Sequence, residues 1–200
     1  MGALLKSFIY LISSSLLYPV LFLLVILSVV TLVIAGSFVA EWLERMRLHL
    51  GPPQALPLML KQGVEKGQVS ARVDQYLGVL RGFQTDQGMI HLSIENLFQE
   101  TTLALWKSMD RLKILVRVAP SLGLIGTLIP MGTGLAALGQ GDMTQLTTDL
   151  VIAFTTTVVG MAVGTTAFFF YTVKRRWIEE DVKTMALATD IFLAETKEKI

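Results

Sequence analysis

Hydrophobic and polar positions along this chain fall into long blocks, with a helical rhythm in the polar ones. The first block, SLLYPVLFLLVILSVVTLVIAGSFVA, runs from Ser15 to Ala40 without a single charge. A helix needs about 20 predominantly apolar residues to cross hydrocarbon, so residues 15–40 are expected to form a first transmembrane helix. A cleaved signal peptide is the rival reading, with Lys6 as its basic end and Ala35, Gly36 and Ser37 as its small residues. Its apolar core would have to be only about 7–15 residues long, which this run exceeds. Two further blocks are long enough to span: residues 114–140, with Arg117 near the start, and residues 150–173, which stop at Lys174, Arg175 and Arg176. Residues 141–149 form a short loop between them, so the second and third spans make a helical hairpin.

The remaining segments read as amphipathic helices. Gly51 to Pro57, GPPQALP, is a turn-rich break. From Met89 the apolar residues Ile94, Leu97, Phe98, Leu105, Met109, Leu112 and Leu115 recur at helical spacing, which predicts one long helix running on into the second span. The tail from residue 174 to 200 does the same with Trp177, Ile178, Val182, Met185, Ala188, Ile191 and Phe192. These faces, with shorter helices between Val69 and Phe83, can bury one another as a cytoplasmic bundle. The expected fold is an all-α membrane protein with three transmembrane helices and a cytoplasmic helical bundle.

Charge sets the sidedness. Residues 41–113 carry nine of the 17 Lys and Arg, the tail carries six, the N-terminal segment 1–14 has only Lys6, and the 141–149 loop has none. Basic residues concentrate on the cytoplasmic side, which places the N-terminus outside and the middle segment and tail inside, in the cytoplasmic membrane. Composition agrees: 52% of the residues are hydrophobic, 16% are charged, and the mean hydropathy is +0.59. A net charge of +1 gives no basic face for nucleic acid. The absence of cysteine excludes disulfides, thiolate metal sites and cysteine nucleophiles.

Catalytic chemistry finds little support. His49 and His91 lie in separate segments, without an acidic pair at metal-ligand spacing. The glycines of GLIGTLIPMGTG lack the lysine of a phosphate-binding loop and follow no strand. No Ser/His/Asp set can be placed, and no metal or other cofactor is implied. The chain does not read as an enzyme.

The distinctive stretch is APSLGLIGTLIPMGTG, Ala119 to Gly134. Pro120, Gly123, Thr127, Pro130 and Gly134 follow helical steps of three and four, so small and polar residues share one face. Asp149, Ala153, Thr157, Gly160 and Gly164 repeat this on the third span, and Gly160 with Gly164 forms a GxxxG suited to close helix packing. Such faces either pack helices or line a narrow, weakly polar passage.

These motifs resemble the MotA/TolQ/ExbB proton-channel family, and its smaller ExbB/TolQ branch in particular. APSLGLIGTLIPM is similar to that family's Ala-Pro followed by Gly-Leu-x-Gly-Thr, and Thr157, Gly160 and Tyr171 match its third-span Thr-x-x-Gly and following Tyr. The resemblance implies a channel-forming subunit of an energy-transducing complex, assembled as a homopentamer around single-span partners of the ExbD, TolR or MotB type that carry an essential aspartate. It implies Thr127 and Thr157 as pore-facing hydroxyls, and the small, polar faces read from the spacing would then set Pro120, Gly123, Pro130 and Gly160 beside them as pore lining. Two departures stand out. The family glutamate near the start of the third span is Ile152 here, leaving Asp149 as an acidic group at the outer mouth, and Thr166 replaces a family proline. The 73-residue segment from Glu41 to Lys113 is short for a flagellar stator. The middle of each span holds no titratable residue, so a partner is expected to supply the carboxylate. The alternative is an oligomeric scaffold in the lipid membrane that conducts nothing and uses the same faces only for packing.

Overall fold

The computed structural model describes residues 15–47, 69–82 and 90–198, together with Phe8 and Ile12. The Lys6 and GPPQALP readings, His49 and most of the 1–14 segment lie outside the described residues. Among the described residues the fold is all-α, with five helices: α1 (Leu17–Arg47), α2 (Ala71–Gly82), α3 (Ile90–Lys107), α4 (Asp110–Gly139) and α5 (Met143–Glu198). Three helical stretches, Leu17–Arg47, His91–Gly139 and Met143–Ala194, are long and apolar enough to cross a membrane. The chain divides into two compact units, one of residues 1–37 and 111–171, the other of residues 38–110 and 172–200.

In the first unit, Leu115, Ala119, Val163 and Ala167 form a small core, with Leu27, Ile34, Val116 and Val159 packed against it. Large apolar side chains cover the outside, with Leu32 72% and Val158 67% exposed. A surface of this kind suits lipid, where an apolar side chain needs no burial and a backbone polar group must be satisfied internally. The hydroxyls within α1 obey the same constraint: Ser28 donates to the Leu24 carbonyl at 2.9 Å and Thr31 to the Leu27 carbonyl at 2.7 Å.

The turn between α4 and α5 is tighter than the hydropathy pattern suggests. Gly141 has a φ of 81°. Its N–H donates to the Leu138 carbonyl and that of Asp142 to the Ala137 carbonyl, both at 3.0 Å. Such a left-handed glycine cap ends a helix by satisfying its last carbonyls. Asp142 then starts α5, because its carboxylate accepts the Gln145 N–H at 2.9 Å. The third long helix therefore begins at Met143, seven residues before the apolar run that announced it.

In the second unit, Val69, Val73, Tyr76, Leu77 and Leu80 meet Ile94 of α3 and Met185 and Ala188 of α5. Ser70 caps α2, its oxygen lying 3.4 Å from the Val73 N–H. The single helix expected from Met89 into the second span is interrupted at Ser108 and Met109. The Ser108 hydroxyl donates to the Leu105 carbonyl at 2.6 Å, the acceptor that Met109 would use in a straight α-helix, and the Met109 N–H bonds to Trp106 at 3.0 Å.

A buried bond orders this core. The Tyr76 and Thr189 hydroxyl oxygens lie 2.6 Å apart, and Thr189 also lies 2.9 Å from the Met185 carbonyl. The carbonyl can only accept, so Thr189 donates to it and Tyr76 donates to Thr189. Burial raises the Tyr76 phenol above its ordinary value near 10, although the Thr189 bond acts the other way. Thr189→Val strands a buried donor, whereas Tyr76→Phe removes one. Thr189→Val is therefore expected to lose about 1–3 kcal/mol in denaturant unfolding and Tyr76→Phe nearer ~1 kcal/mol. Because the phenol ionises more readily in the unfolded chain, its contribution is complete below pH 10 and is lost as pH rises further. A stability profile above pH 10 should be flatter in Tyr76→Phe than in wild type.

Candidate functional site: the span hairpin

The α4–α5 hairpin has a simple register. Facing residues lie at nearly equal distances from Gly141: Gly126 and Thr156 at fifteen residues, Thr133 and Asp149 at eight, and Gly123 and Gly160 at 18 and 19. The two helices approach at backbone distance where both lack side chains. A Cβ at Gly160 would fall 2.8 Å from both the Ala119 carbonyl oxygen and the Gly123 Cα. One at Gly123 would fall 3.2 Å from the Gly160 Cα, and one at Gly164 would fall 2.5 Å from Pro120 Cγ. Gly126 is equally committed, since its Cβ would sit 2.9 Å from that of Thr156. Small residues allow this approach in lipid, where dispersion contacts hold helices together.

This register places each residue singled out from the sequence. Gly123, Pro130 and Gly160 are buried, and Pro120 is half-buried against Gly164. Gly123, Gly160, Gly164 and Pro120 thus make contacts between two helices of one chain. Thr127 and Thr157 are half-buried, and the Thr127 hydroxyl donates to the Leu124 carbonyl at 2.7 Å. No hydrogen bond joins those two threonines among the described residues. The threonine seated on a glycine is Thr156, which donates to the Ala153 carbonyl at 2.8 Å.

Asp149 departs most from expectation. Expected as an acidic group at the outer mouth, it is 6% exposed within the hairpin. The Thr133 hydroxyl lies 2.6 Å from one carboxylate oxygen, and the Gln145 amide donates to the other at 2.9 Å. Gly134 makes room, because a Cβ there would lie 3.3 Å from that of Asp149. Thr133 is also 3.0 Å from the Pro130 carbonyl. Its single hydrogen serves one acceptor at a time. With the carboxylate ionised, Thr133 donates to Asp149. The site therefore holds a buried carboxylate with a hydrogen-bond partner on each oxygen. Thr133 and Gln145 escaped the sequence reading, though counting outward from Gly141 pairs Thr133 with Asp149.

A model of the MotA/TolQ/ExbB proton channel family matches residues 57–186. The match takes in α2, α3, α4 and α5 as far as Ala186, including the whole glycine contact and the Asp149 cluster. The chain belongs to this family. It is accordingly a multi-pass membrane protein of a proton-channel family, with three helical stretches able to span. Compared with curated proteins and with solved structures, the chain finds no significant match.

In this family member, Gly160→Val is expected to destabilise the hairpin by about 1–3 kcal/mol, since the added atoms meet backbone that has nowhere to retreat. Gly132 has nothing within 4 Å of the position its Cβ would take, so Gly132→Ala should be neutral or stabilising by up to ~1 kcal/mol. Thermal unfolding of both variants in detergent, followed by circular dichroism, checks the contrast.

Proposed function

We propose that this chain is the channel-forming subunit of a proton-driven, energy-transducing complex in the cytoplasmic membrane, of the ExbB/TolQ branch. The observation that carries the reading is Asp149, a buried carboxyl group held between Thr133 and Gln145 within the stretch matched to a proton-channel family. In this reading the N-terminus lies outside, and five copies surround single-span partners whose aspartates complete the path. Movement of protons, worth about 2.3 kcal/mol per elementary charge per 100 mV, drives motion of the partner. The work is transport and mechanical coupling, with no covalent chemistry on a substrate. Thr127 and Thr157 supply hydroxyls at the margin of the hairpin contact and face the passage, while Gly123, Gly160, Pro120 and Pro130 hold the helices that carry them.

The alternative is a scaffold that conducts nothing, favoured by the use of the small faces within one chain. Proton uptake by vesicles containing the chain with its co-expressed partner separates the two. Uptake no greater than in empty vesicles would establish the scaffold. Asp149→Asn is expected to leave assembly intact and lower proton flux at least about tenfold, the scale of losing one positioned proton-transfer group. The double change Thr127→Val and Thr157→Val keeps shape but removes two hydroxyls, and flux should again fall steeply. Undiminished flux in that variant would remove both threonines from the passage.

A further inference from the structure

The second unit holds a charge cluster that the proton path does not use. Glu41 and Arg45 from α1, Arg72 from α2, and Lys174 and Asp181 from α5 gather there. Arg45 Nη2 and Asp181 lie 2.5 Å apart, Arg72 Nη2 and Glu41 2.7 Å, Lys174 Nζ and Glu41 3.5 Å, and Arg72 Nη1 and Asp181 3.7 Å. Ser70 donates to the remaining Asp181 oxygen at 2.8 Å. Among the described residues three cations thus share two carboxylates, leaving one positive charge in excess. Among the described residues Arg45 Nε and Arg72 Nη1 are buried without a hydrogen-bond acceptor, although Arg45 Nε lies 3.9 Å from Glu41. The neighbouring Arg175 and Arg176 pair with Glu179 and Glu180 along α5 and do not add to the excess.

The depth of the cluster is legible along the helices. Glu41 follows the charge-free run that ends at Ala40, and Lys174 follows the one that ends at Val173. Arg45 lies four residues beyond Glu41, about 6 Å of helix, comparable with the polar headgroup layer of about 5–7 Å on each side of the hydrocarbon. Phe38 stacks on Trp177 with centroids 5.2 Å apart and meets Trp42 edge-on at 5.7 Å, while the Arg45 guanidinium sits 5.0 Å from the centre of the Trp177 ring. Tryptophan gathers at the headgroup level of membranes. Arg72 and Lys174 are the more exposed of the three cations, at 30% and 20% against 14% for Arg45.

We infer that Arg72 and Lys174 bind one phosphate-type oxyanion, the cluster's missing negative charge. A phosphodiester with a single negative charge balances the count, which makes the headgroup of an anionic membrane lipid the fitting source. The cluster's carboxylates tune the site, since Glu41 competes with the phosphate for both cations. The site rests on membrane depth and local charge, and it stands whether or not the chain conducts protons.

The test uses the purified full chain in nanodiscs, with retained lipid counted by native mass spectrometry. Phosphatidylglycerol should be retained about tenfold over zwitterionic phosphatidylcholine, and Arg72→Gln with Lys174→Gln should abolish that preference by removing two charge-assisted contacts. Glu41→Gln removes the carboxylate charge that both cations share and should strengthen retention several-fold, a gain that loss of structure does not imitate. Arg175→Gln with Arg176→Gln should retain phosphatidylglycerol as wild type does. In a separate arm, soluble glycerol phosphate is added to the chain in phosphatidylcholine discs and its thermal shift is measured. A shift abolished by the Arg72 and Lys174 changes would support the site with a soluble source, and preferential lipid retention supports it with a membrane source. The proposal is overturned if neither probe binds, if the Arg72 and Lys174 variant binds as wild type does, if Glu41→Gln brings no gain, or if the Arg175 and Arg176 variant loses as much as the Arg72 and Lys174 variant.

Discussion

The hairpin depends on a backbone-to-backbone approach between Gly123 and Gly160. With no side chain on either helix there, the Ala119 carbonyl oxygen and the Gly123 Cα come to 2.8 Å of the point where a Gly160 Cβ would lie. Lipid tails are as apolar as leucine, so burying leucine against leucine gains little in a membrane, and close packing must supply the attraction. Once the helices touch at this level, Gly126 accepts Thr156, Gly164 accepts Pro120, and Gly134 leaves space beside Asp149. The buried carboxyl group is a product of the glycine contact. A hairpin held farther apart would open Asp149 to its surroundings and separate it from Thr133.

The two units solve the problem of buried polarity differently. In the first, hydroxyls return to their own helix, and Asp149 is satisfied by one neighbour across the hairpin and one a helical turn away. In the second, Asp181 gathers Arg45 from α1 and Ser70 from the start of α2, so that one carboxylate ties three parts of the chain together. Breaking such a buried ion pair leaves a partner charge uncompensated, which costs about 3–5 kcal/mol. The first unit thus relies on hydroxyl and amide donors, the second on ion pairs.

Much of this architecture was legible in the sequence. The charge-free run to Ala40 and the abrupt stop at Lys174 mark helix ends that the structure extends without a break, since amphipathic turns continue the same helices. The small residues on facing helices were readable from their spacing, but spacing alone does not tell packing from pore lining, and here packing claims Gly123, Gly160 and Gly164. Two features were hidden for physical reasons. The break at Ser108 turns on a competition for one carbonyl oxygen, which leaves no mark on hydropathy. The early start of α5 was announced by Asp142 and Gln145, a capping pattern that a search for apolar runs passes over. Asp149 was placed at the outer mouth because it lies outside the apolar run; its burial follows from the three-residue turn, which brings it into the hairpin.

That turn fixes more than a change of direction. Because facing positions are counted from Gly141, adding one residue between the helices would advance one arm by a single step relative to the other. A step on an α-helix is a rotation of about 100°, enough to turn Leu124 or Ile125 toward the other arm where Gly123 and Gly126 now stand. An insertion transmitted along one arm would displace every glycine in the contact at once. Substitutions in the turn are local changes, whereas insertions and deletions act on the entire hairpin, so the length of this loop should be held more strictly during evolution than the identity of most residues within it.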